Sequence, residues 1–148
     1  MKLRAAHLLL ACIALVMAFT SFTASAAKKE FADKKLVLQI SDSDPFKQTL
    51  VLNVANNLIK HYGPDQVDVE VVAFGPGLRL LFAENTNKGR IGSLVDNGVR
   101  FSACSNTVRS MGKTLGHDPE LNKHAVTVSA GVVRIIDLVN KGYILIKP

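Results

Sequence analysis

One cysteine has the surroundings that thiol chemistry requires. Cys104 lies in the segment FSACSNT at positions 101–107, where a short apolar stretch that predicts a strand gives way to helical spacing. The first turn of a helix offers unpaired backbone N–H groups and the positive end of the helix dipole. Both stabilise a thiolate, so the pattern predicts a lowered pKa and a nucleophilic sulfur for Cys104. A buried structural cysteine, packed as a small apolar side chain, is the alternative interpretation.

The loops predicted to surround Cys104 are small, polar or rich in glycine. In open parallel sheets ligands bind beyond the carboxyl ends of the strands, and loops 41–44, 75–77 and 129–131 each follow a predicted strand. The N–H groups at the start of the helix after Cys104 also suit an anionic sulfur species such as a persulfide or thiosulfate. Ordinary turn residues are the alternative interpretation of each loop taken singly. The candidate binding residues are Ser41, Asp42, Gly75, Gly77, Ser105, Asn106 and Thr107.

Strand-like and helix-like segments alternate along the chain and would position these loops. The first helix is predicted to begin at Asp44-Pro45, an N-cap residue followed by proline, and to end at Gly63-Pro64. The alternation predicts an α/β fold, with a single three-layer domain, a mainly parallel five-stranded sheet and helices on both faces. The predicted strands are 36–40, 67–74, 99–103, 125–128 and 143–146.

Two apolar segments are candidates for burial in the core or, for one of them, against another subunit. The stretch 78–82 is either a core helix or a contact between subunits, since its composition suits both. The last helix, at about 131–140, has aliphatic residues at helical spacing. Those predicted to face the core are Val132, Val133, Ile136 and Val139.

The first 26 residues have the pattern of a secretory signal peptide. Lys2 and Arg4 precede an apolar run at 8–19, and an A-x-A cleavage pattern closes at Ala26. The apolar run is too short for a comfortable membrane span of about 20 residues. The prediction is therefore a signal peptide at 1–26, a linker at 27–34 and a domain at 35–148, exported to the periplasm. A retained anchor and lipid attachment at Cys12 are the alternatives.

Composition argues against several classes of partner and cofactor. The net charge is +6, but the basic residues are scattered apart from a cluster at 28–35 that lacks interleaved aromatics, so no nucleic-acid partner is expected. His61, His117 and His124 have no convincing metal spacing, and Cys12 lies in the signal segment. We therefore expect no metal or organic cofactor, and no membrane span in the exported domain.

Several motifs together resemble a known family. The segment FSACSNT, with SAGVVRI at 129–135 and GYILIKP at 142–148, resembles the DsrE/DsrF-like family and is most similar to its exported branch. QIS at 39–41 and LNVANNL at 52–58 fit the same resemblance, which spans about 35–148. It implies a DsrE-like fold, often assembled into trimers or hexamers, and a sulfur-relay role in which Cys104 carries a persulfide.

Two functions remain open at this point. The first is a periplasmic sulfur carrier or sulfurtransferase-like protein that exchanges sulfur with small sulfur species or with a partner protein's thiol. In this function Cys104 is the nucleophile and the loop residues form the pocket. The second is a non-catalytic oligomeric protein that binds a small ligand or a partner, with Cys104 as a structural residue.

Overall fold

The computed structural model describes Lys29 and residues 32–148. The predicted signal peptide at 1–26 and half of the predicted linker at 27–34 lie outside the described residues. In chain order the elements are β1 (Lys34–Ile40), α1 (Pro45–Tyr62), β2 (Val67–Ala73), a 3-10 helix (Gly75–Leu81), α2 (Lys88–Asp96), β3 (Arg100–Cys104), α3 (Ser105–Leu115), β4 (Ala125–Val128), α4 (Gly131–Asn140) and β5 (Ile144–Ile146).

The five strands form one sheet in the order β4-β3-β2-β1-β5, and every strand pair is parallel. The chain moves in one direction from β1 to β4 and then crosses back to add β5 on the other side of β1. Right-handed crossovers therefore place the helices of the first three connections on one face of the sheet and α4 on the other. The predicted single α/β domain is confirmed, and its sheet is entirely parallel.

The larger core lies between the sheet and helices α1, α2, α3 and the 3-10 helix. Phe101 of β3 is its largest buried side chain, at 1% exposure. Leu78, Leu80 and Leu81 of the 3-10 helix are fully buried in this core. The leucines of the stretch 78–82 are therefore part of the core, as the first of its two interpretations predicted.

The opposite face of the sheet is covered by α4. Ile135 and Leu138 of this helix pack against Val37, Val72 and Tyr143 in a second, smaller core. The prediction for the inward side of the helix is wrong, because the residues named for the core are about half exposed. They are Val132 at 54%, Val133 at 50%, Ile136 at 53% and Val139 at 43%. Aliphatic residues occupy two sides of α4, so periodicity alone could not tell which side the sheet covers.

Strand parity decides which side chains lie under α4. Alternate residues of a strand point to opposite faces, and Phe101 and Ala103 belong to the larger core. Arg100, Ser102 and Cys104 therefore point toward the α4 face. The end of β3 thus brings Cys104 to the first turn of α3 and to the beginning of α4.

None of the helices in the described part of the chain is both long enough and apolar enough to cross a bilayer.

Candidate functional site

The thiol of Cys104 lies where two helices begin. Cys104 is the last residue of β3 and the N-cap of α3, and it is only 5% exposed. The backbone N–H groups of Asn106 and Thr107, in the first turn of α3, lie close enough to the sulfur to lower the pKa of the thiol. The backbone N–H of Gly131, the first residue of α4, and the Thr107 hydroxyl also lower the pKa of the thiol. The thiol therefore lies at the beginnings of two helices, a position that favours a negative charge.

These donors set the acidity of the thiol. Burial by itself raises the pKa of Cys104, because a thiolate loses its hydration. The hydrogen bonds from Thr107, Gly131 and Asn106 favour the charged form and outweigh burial, so the pKa of Cys104 lies below its ordinary value. The site therefore holds a thiolate more readily than free cysteine does.

The Thr107 hydroxyl is oriented by a second contact. Its oxygen accepts a hydrogen bond of 2.9 Å from the backbone N–H of Gly75, at the start of the 3-10 helix. Because that N–H occupies a lone pair of the oxygen, the hydroxyl hydrogen is directed away from Gly75 and toward the sulfur. Gly75 has a φ of +52°, a conformation that favours glycine. The predicted loop residue Gly75 thus reaches the site through Thr107.

Gly131 permits the close approach of α4. A Cβ at this position would lie 2.9 Å from the Cβ of Phe74, the residue that follows β2. Any larger residue would push the beginning of α4 away from the sheet, and with it the N–H that reaches Cys104. The absence of a side chain is therefore required by packing at this point.

The remaining predicted residues have other partners. The side chains of Ser105 and Asn106 accept hydrogen bonds from Arg109, at 2.6 Å for Ser105. Among the predicted residues of the α3 turn, Thr107 therefore contributes both its side chain and its backbone, and Asn106 contributes its backbone N–H. Arg109 therefore lies over the first turn of α3.

The loop after β1 forms a separate small cluster. Ser41 accepts a hydrogen bond of 3.2 Å from Gln39. Asp42 accepts a hydrogen bond from the backbone N–H of Asp44 and forms an ion pair of 2.6 Å with Lys47. The bond from Lys47 holds the pKa of Asp42 below its usual value. Gly77 is packed tightly against the backbone of Ile40 and Ser41, where a Cβ would collide with the Ile40 carbonyl. These residues fix the loop beside the site, and their described hydrogen bonds do not reach the sulfur.

A buried ionic network beneath α4 was missed in the sequence analysis. Glu70 of β2 is fully buried and forms two hydrogen bonds with Arg134 of α4, at 2.6 and 2.7 Å. The same carboxylate accepts a 2.6 Å bond from Ser102 and a 3.2 Å bond from Arg100, both on β3. Burial by itself raises the pKa of Glu70, but the bonds from Arg134 and Ser102 and the Arg100 charge hold the pKa below its usual value.

The ionic network extends through Arg100 to Asp68 and Tyr143. Arg100 also bonds Asp68 at 2.5 Å, and Asp68 accepts a 2.5 Å bond from the Tyr143 hydroxyl. Burial and the bond to Asp68 raise the pKa of Tyr143 to about 12. Asp68 and Glu70 alternate with valines in β2, and that alternation was the sequence signal for a polar face on a central strand.

Every buried side-chain nitrogen and oxygen in the described residues has a hydrogen-bond partner. The buried polar atoms of the ionic network therefore all have hydrogen-bond partners, as buried charges require. In the same residues, no cluster of three or more histidine, cysteine, aspartate or glutamate side chains is arranged to hold a metal ion.

Fold and site together define a parallel α/β domain with a thiol held between two helix N-termini. The fold is shared with a protein of unknown function from Methanobacterium thermoautotrophicum, MTH1491, which is 32% identical with a TM-score of 0.71. That alignment covers 78% of this chain and 100% of the other. The chain belongs to the same family as this archaeal protein.

A second solved structure shares the fold alone. It is a conserved protein of unknown function from Bacteroides thetaiotaomicron, BT1422, with 14% identity and a TM-score of 0.54, covering 80% of this chain and 98% of the other. No family model and no curated protein matches the sequence.

Proposed function

We propose that this protein is a periplasmic sulfur carrier of the DsrE/DsrF-like kind, with a persulfide formed on Cys104. The observation that supports it best is the position of Cys104 at the end of β3 and the start of α3, where the polar groups of Thr107, Gly131 and Asn106 lower the pKa of the thiol. Such an arrangement stabilises a thiolate and equally a persulfide anion, whose charge lies on the outer sulfur. Export to the periplasm is part of the proposal and rests on the predicted signal peptide.

The proposed reaction needs no cofactor. With thiosulfate as donor, the Cys104 thiolate attacks the sulfane sulfur, the new S–S bond forms, and the bond to the sulfonate sulfur breaks to release sulfite. In the second step an acceptor thiolate attacks the outer sulfur of the persulfide and takes it. The Cys104 thiolate then leaves and is regenerated, so neither step requires an external oxidant or reductant.

The low exposure of Cys104 favours small sulfur species as donors. At 5% exposure the sulfur is reached more easily by thiosulfate or polysulfide than by a thiol carried on a folded partner. Transfer onward to a partner protein's thiol becomes easier once the persulfide extends the reactive atom outward by one S–S bond, about 2 Å. Ser105 and Asn106, with Arg109 bound to both, form the polar outer side that the incoming anion meets.

The test is the intact mass of the domain from residue 27 onward after brief exposure to thiosulfate or polysulfide. We expect a gain of one sulfur atom, about 32 Da, that reductant reverses. Cys104→Ser is expected to take up no sulfur while keeping the wild-type thermal unfolding profile. A folded wild-type protein that gains no mass would contradict the proposal.

That negative result would favour the second function, a non-catalytic protein that binds a small ligand or partner, with a structural Cys104. The same low exposure of the thiol supports this alternative, since structural cysteines are commonly buried. If Cys104 is structural, alkylation of the folded protein should be slow at every pH.

Assembly into a homo-oligomer, a trimer or hexamer, is also part of the proposal. The exposed side of α4 carries four aliphatic residues, and Leu145 of β5 adds to the same face at 44% exposure. Apolar surface of this kind is typical of an interface between subunits.

We expect Ile136→Asp to lower the solution mass measured by light scattering, because a charge in the middle of an apolar interface is costly. Leu115→Asp is the matched control, since Leu115 has a similar 52% exposure but lies on α3, across the sheet. A wild-type mass equal to one chain would contradict this part of the proposal.

A further inference from the structure

One buried carboxylate is bonded to both elements that determine the surroundings of the thiol. The sulfur is carried by β3, and one of its donors, the Gly131 N–H, is carried by α4. Glu70 accepts a 2.6 Å bond from Ser102, two residues before Cys104 on the same face of β3. It also accepts the two bonds from Arg134, which is one helical turn after Gly131. One carboxylate therefore links the strand that carries the thiol to the helix that begins beside it.

Apolar packing by itself holds α4 weakly in place. Beyond Gly131, only Ile135 and Leu138 of this helix are buried, and the remaining aliphatic residues face outward. Apolar contacts are not directional, whereas a two-bond arginine–carboxylate pair specifies both distance and angle. The pair Glu70–Arg134 therefore adds a directional contact between α4 and the sheet.

We infer that Glu70 and Arg134 are positioning residues for Cys104, because their ion pair holds the first turn of α4, and this helix begins three residues after Val128, the neighbour of Cys104 on the adjacent strand. The inference deepens the proposed function, on which it rests for its significance, by naming what keeps the thiol reactive. Neither residue touches the reacting sulfur in the described hydrogen bonds, and both act through the helix.

The charges near the sulfur allow positioning to be separated from a direct electrostatic effect. On the α4 face they are Asp68 and Glu70 on β2, Arg100 on β3 and Arg134 on α4, and Arg109 lies over the start of α3. Removing the negative charge of Glu70 without moving α4 would make the thiolate easier to form. Loss of the Gly131 donor through displacement of α4 would make it harder. The two explanations predict opposite signs for Glu70→Gln.

The experiment is the rate of Cys104 alkylation by iodoacetamide as a function of pH, in folded wild type, Glu70→Gln and Arg134→Lys. We expect the midpoint of the profile to move to higher pH in both variants. The rate below the midpoint should fall by about tenfold in Glu70→Gln, the factor that about 1.4 kcal/mol of lost thiolate stabilisation produces. Arg134→Lys keeps the charge but not the two-bond geometry, so a smaller shift of the same sign is expected.

Val51→Ala is the control for lost stability. Val51 is fully buried in the larger core, on the other side of the sheet from α4. This variant should unfold more easily and keep the wild-type profile. Should Glu70→Gln fail to fold, Arg134→Lys decides the question by itself.

The results distinguish the positioning role of Glu70 and Arg134 from the carrier function of Cys104. A midpoint that is unchanged or lower in the folded variants overturns the positioning role, even if wild type takes up sulfur from thiosulfate. A higher midpoint supports the positioning role, even if wild type takes up no sulfur and the carrier function fails.

Discussion

Replacing Glu70 by alanine is expected to lower the free energy of unfolding by about 3–5 kcal/mol at pH 7. The carboxylate is fully buried and balances two guanidinium groups, Arg134 and Arg100, whose side chains are 31% and 12% exposed. Its loss leaves both cations partly buried and without this partner, and it also removes the acceptor of the Ser102 hydroxyl. Breaking a buried ion pair from one side costs more than the pair contributes, because the remaining charge keeps its desolvation penalty.

Urea denaturation measures this loss, and Glu84→Ala is the matched control. Glu84 pairs with Lys88 at 3.1 Å on the surface, with its side chain 88% exposed. Exposed pairs of this type contribute at most about 1 kcal/mol, so the control should unfold close to wild type. Equal losses in the two variants would mean that the buried network does not stabilise the fold.

The same residue gives the protein a defined sensitivity to acid. The pKa of Glu70 in the folded state lies below its ordinary value of 4.5. Its contribution to stability is therefore complete above that value and is lost as the pH falls through the lower folded pKa. Wild type should lose stability steeply in this acidic range, and Glu70→Gln should show a shallower dependence because the group no longer titrates.

Much of the fold could be predicted because local signals agree with it. Asp44 accepts the hydrogen bond from the Phe46 N–H that an N-cap residue should accept, and Gly63 ends α1 with a positive φ. The bounds of β4 and α4 coincide with the predicted segments. These features depend on neighbouring residues in the chain, so a single sequence contains the information that determines them.

The surroundings of Cys104 were only partly predictable. Its place at the start of a helix follows from local spacing, but the contribution of Gly131 depends on β4 and α4 being next to β3 in space. The partners of Glu70 are 30 to 64 residues away along the chain. Strand order decides such pairings, and nothing in the alternation of Asp68 and Glu70 specifies which cations will face them.

The side of α4 that faces the sheet could not be predicted from the sequence either. A helix with aliphatic residues on two sides can present either of them to the sheet, and here the side that faces the sheet also carries Arg134, which pairs with Glu70. The side predicted to be buried is left exposed as a result. The core of α4 and the ionic network both depend on which distant segments meet in space, and periodicity along one helix does not specify that.

Replacing Thr107 by valine is expected to move the pH profile of Cys104 alkylation to higher pH and to slow alkylation below the midpoint by about tenfold or more. A hydrogen bond to a charged group contributes about 1.5–3 kcal/mol, and about 1.4 kcal/mol corresponds to a factor of ten. Valine has nearly the shape of threonine but cannot donate to the sulfur. It also leaves the Gly75 N–H without its 2.9 Å acceptor, so the start of the 3-10 helix loses its link to α3.

Two further variants show whether loss of the Thr107 hydroxyl itself causes the slower alkylation of Cys104. Thr107→Ser keeps the hydroxyl and should restore most of the wild-type rate. Thr114→Val removes a hydroxyl from the same helix, where it bonds only the Ser110 carbonyl at 3.4 Å, and should leave the profile unchanged. If Thr107→Val reacts like wild type, the backbone N–H groups of Asn106, Thr107 and Gly131 are sufficient to hold the thiolate. In that case the contact between Gly75 and Thr107 serves the packing of α3 against the 3-10 helix and not the chemistry of the sulfur.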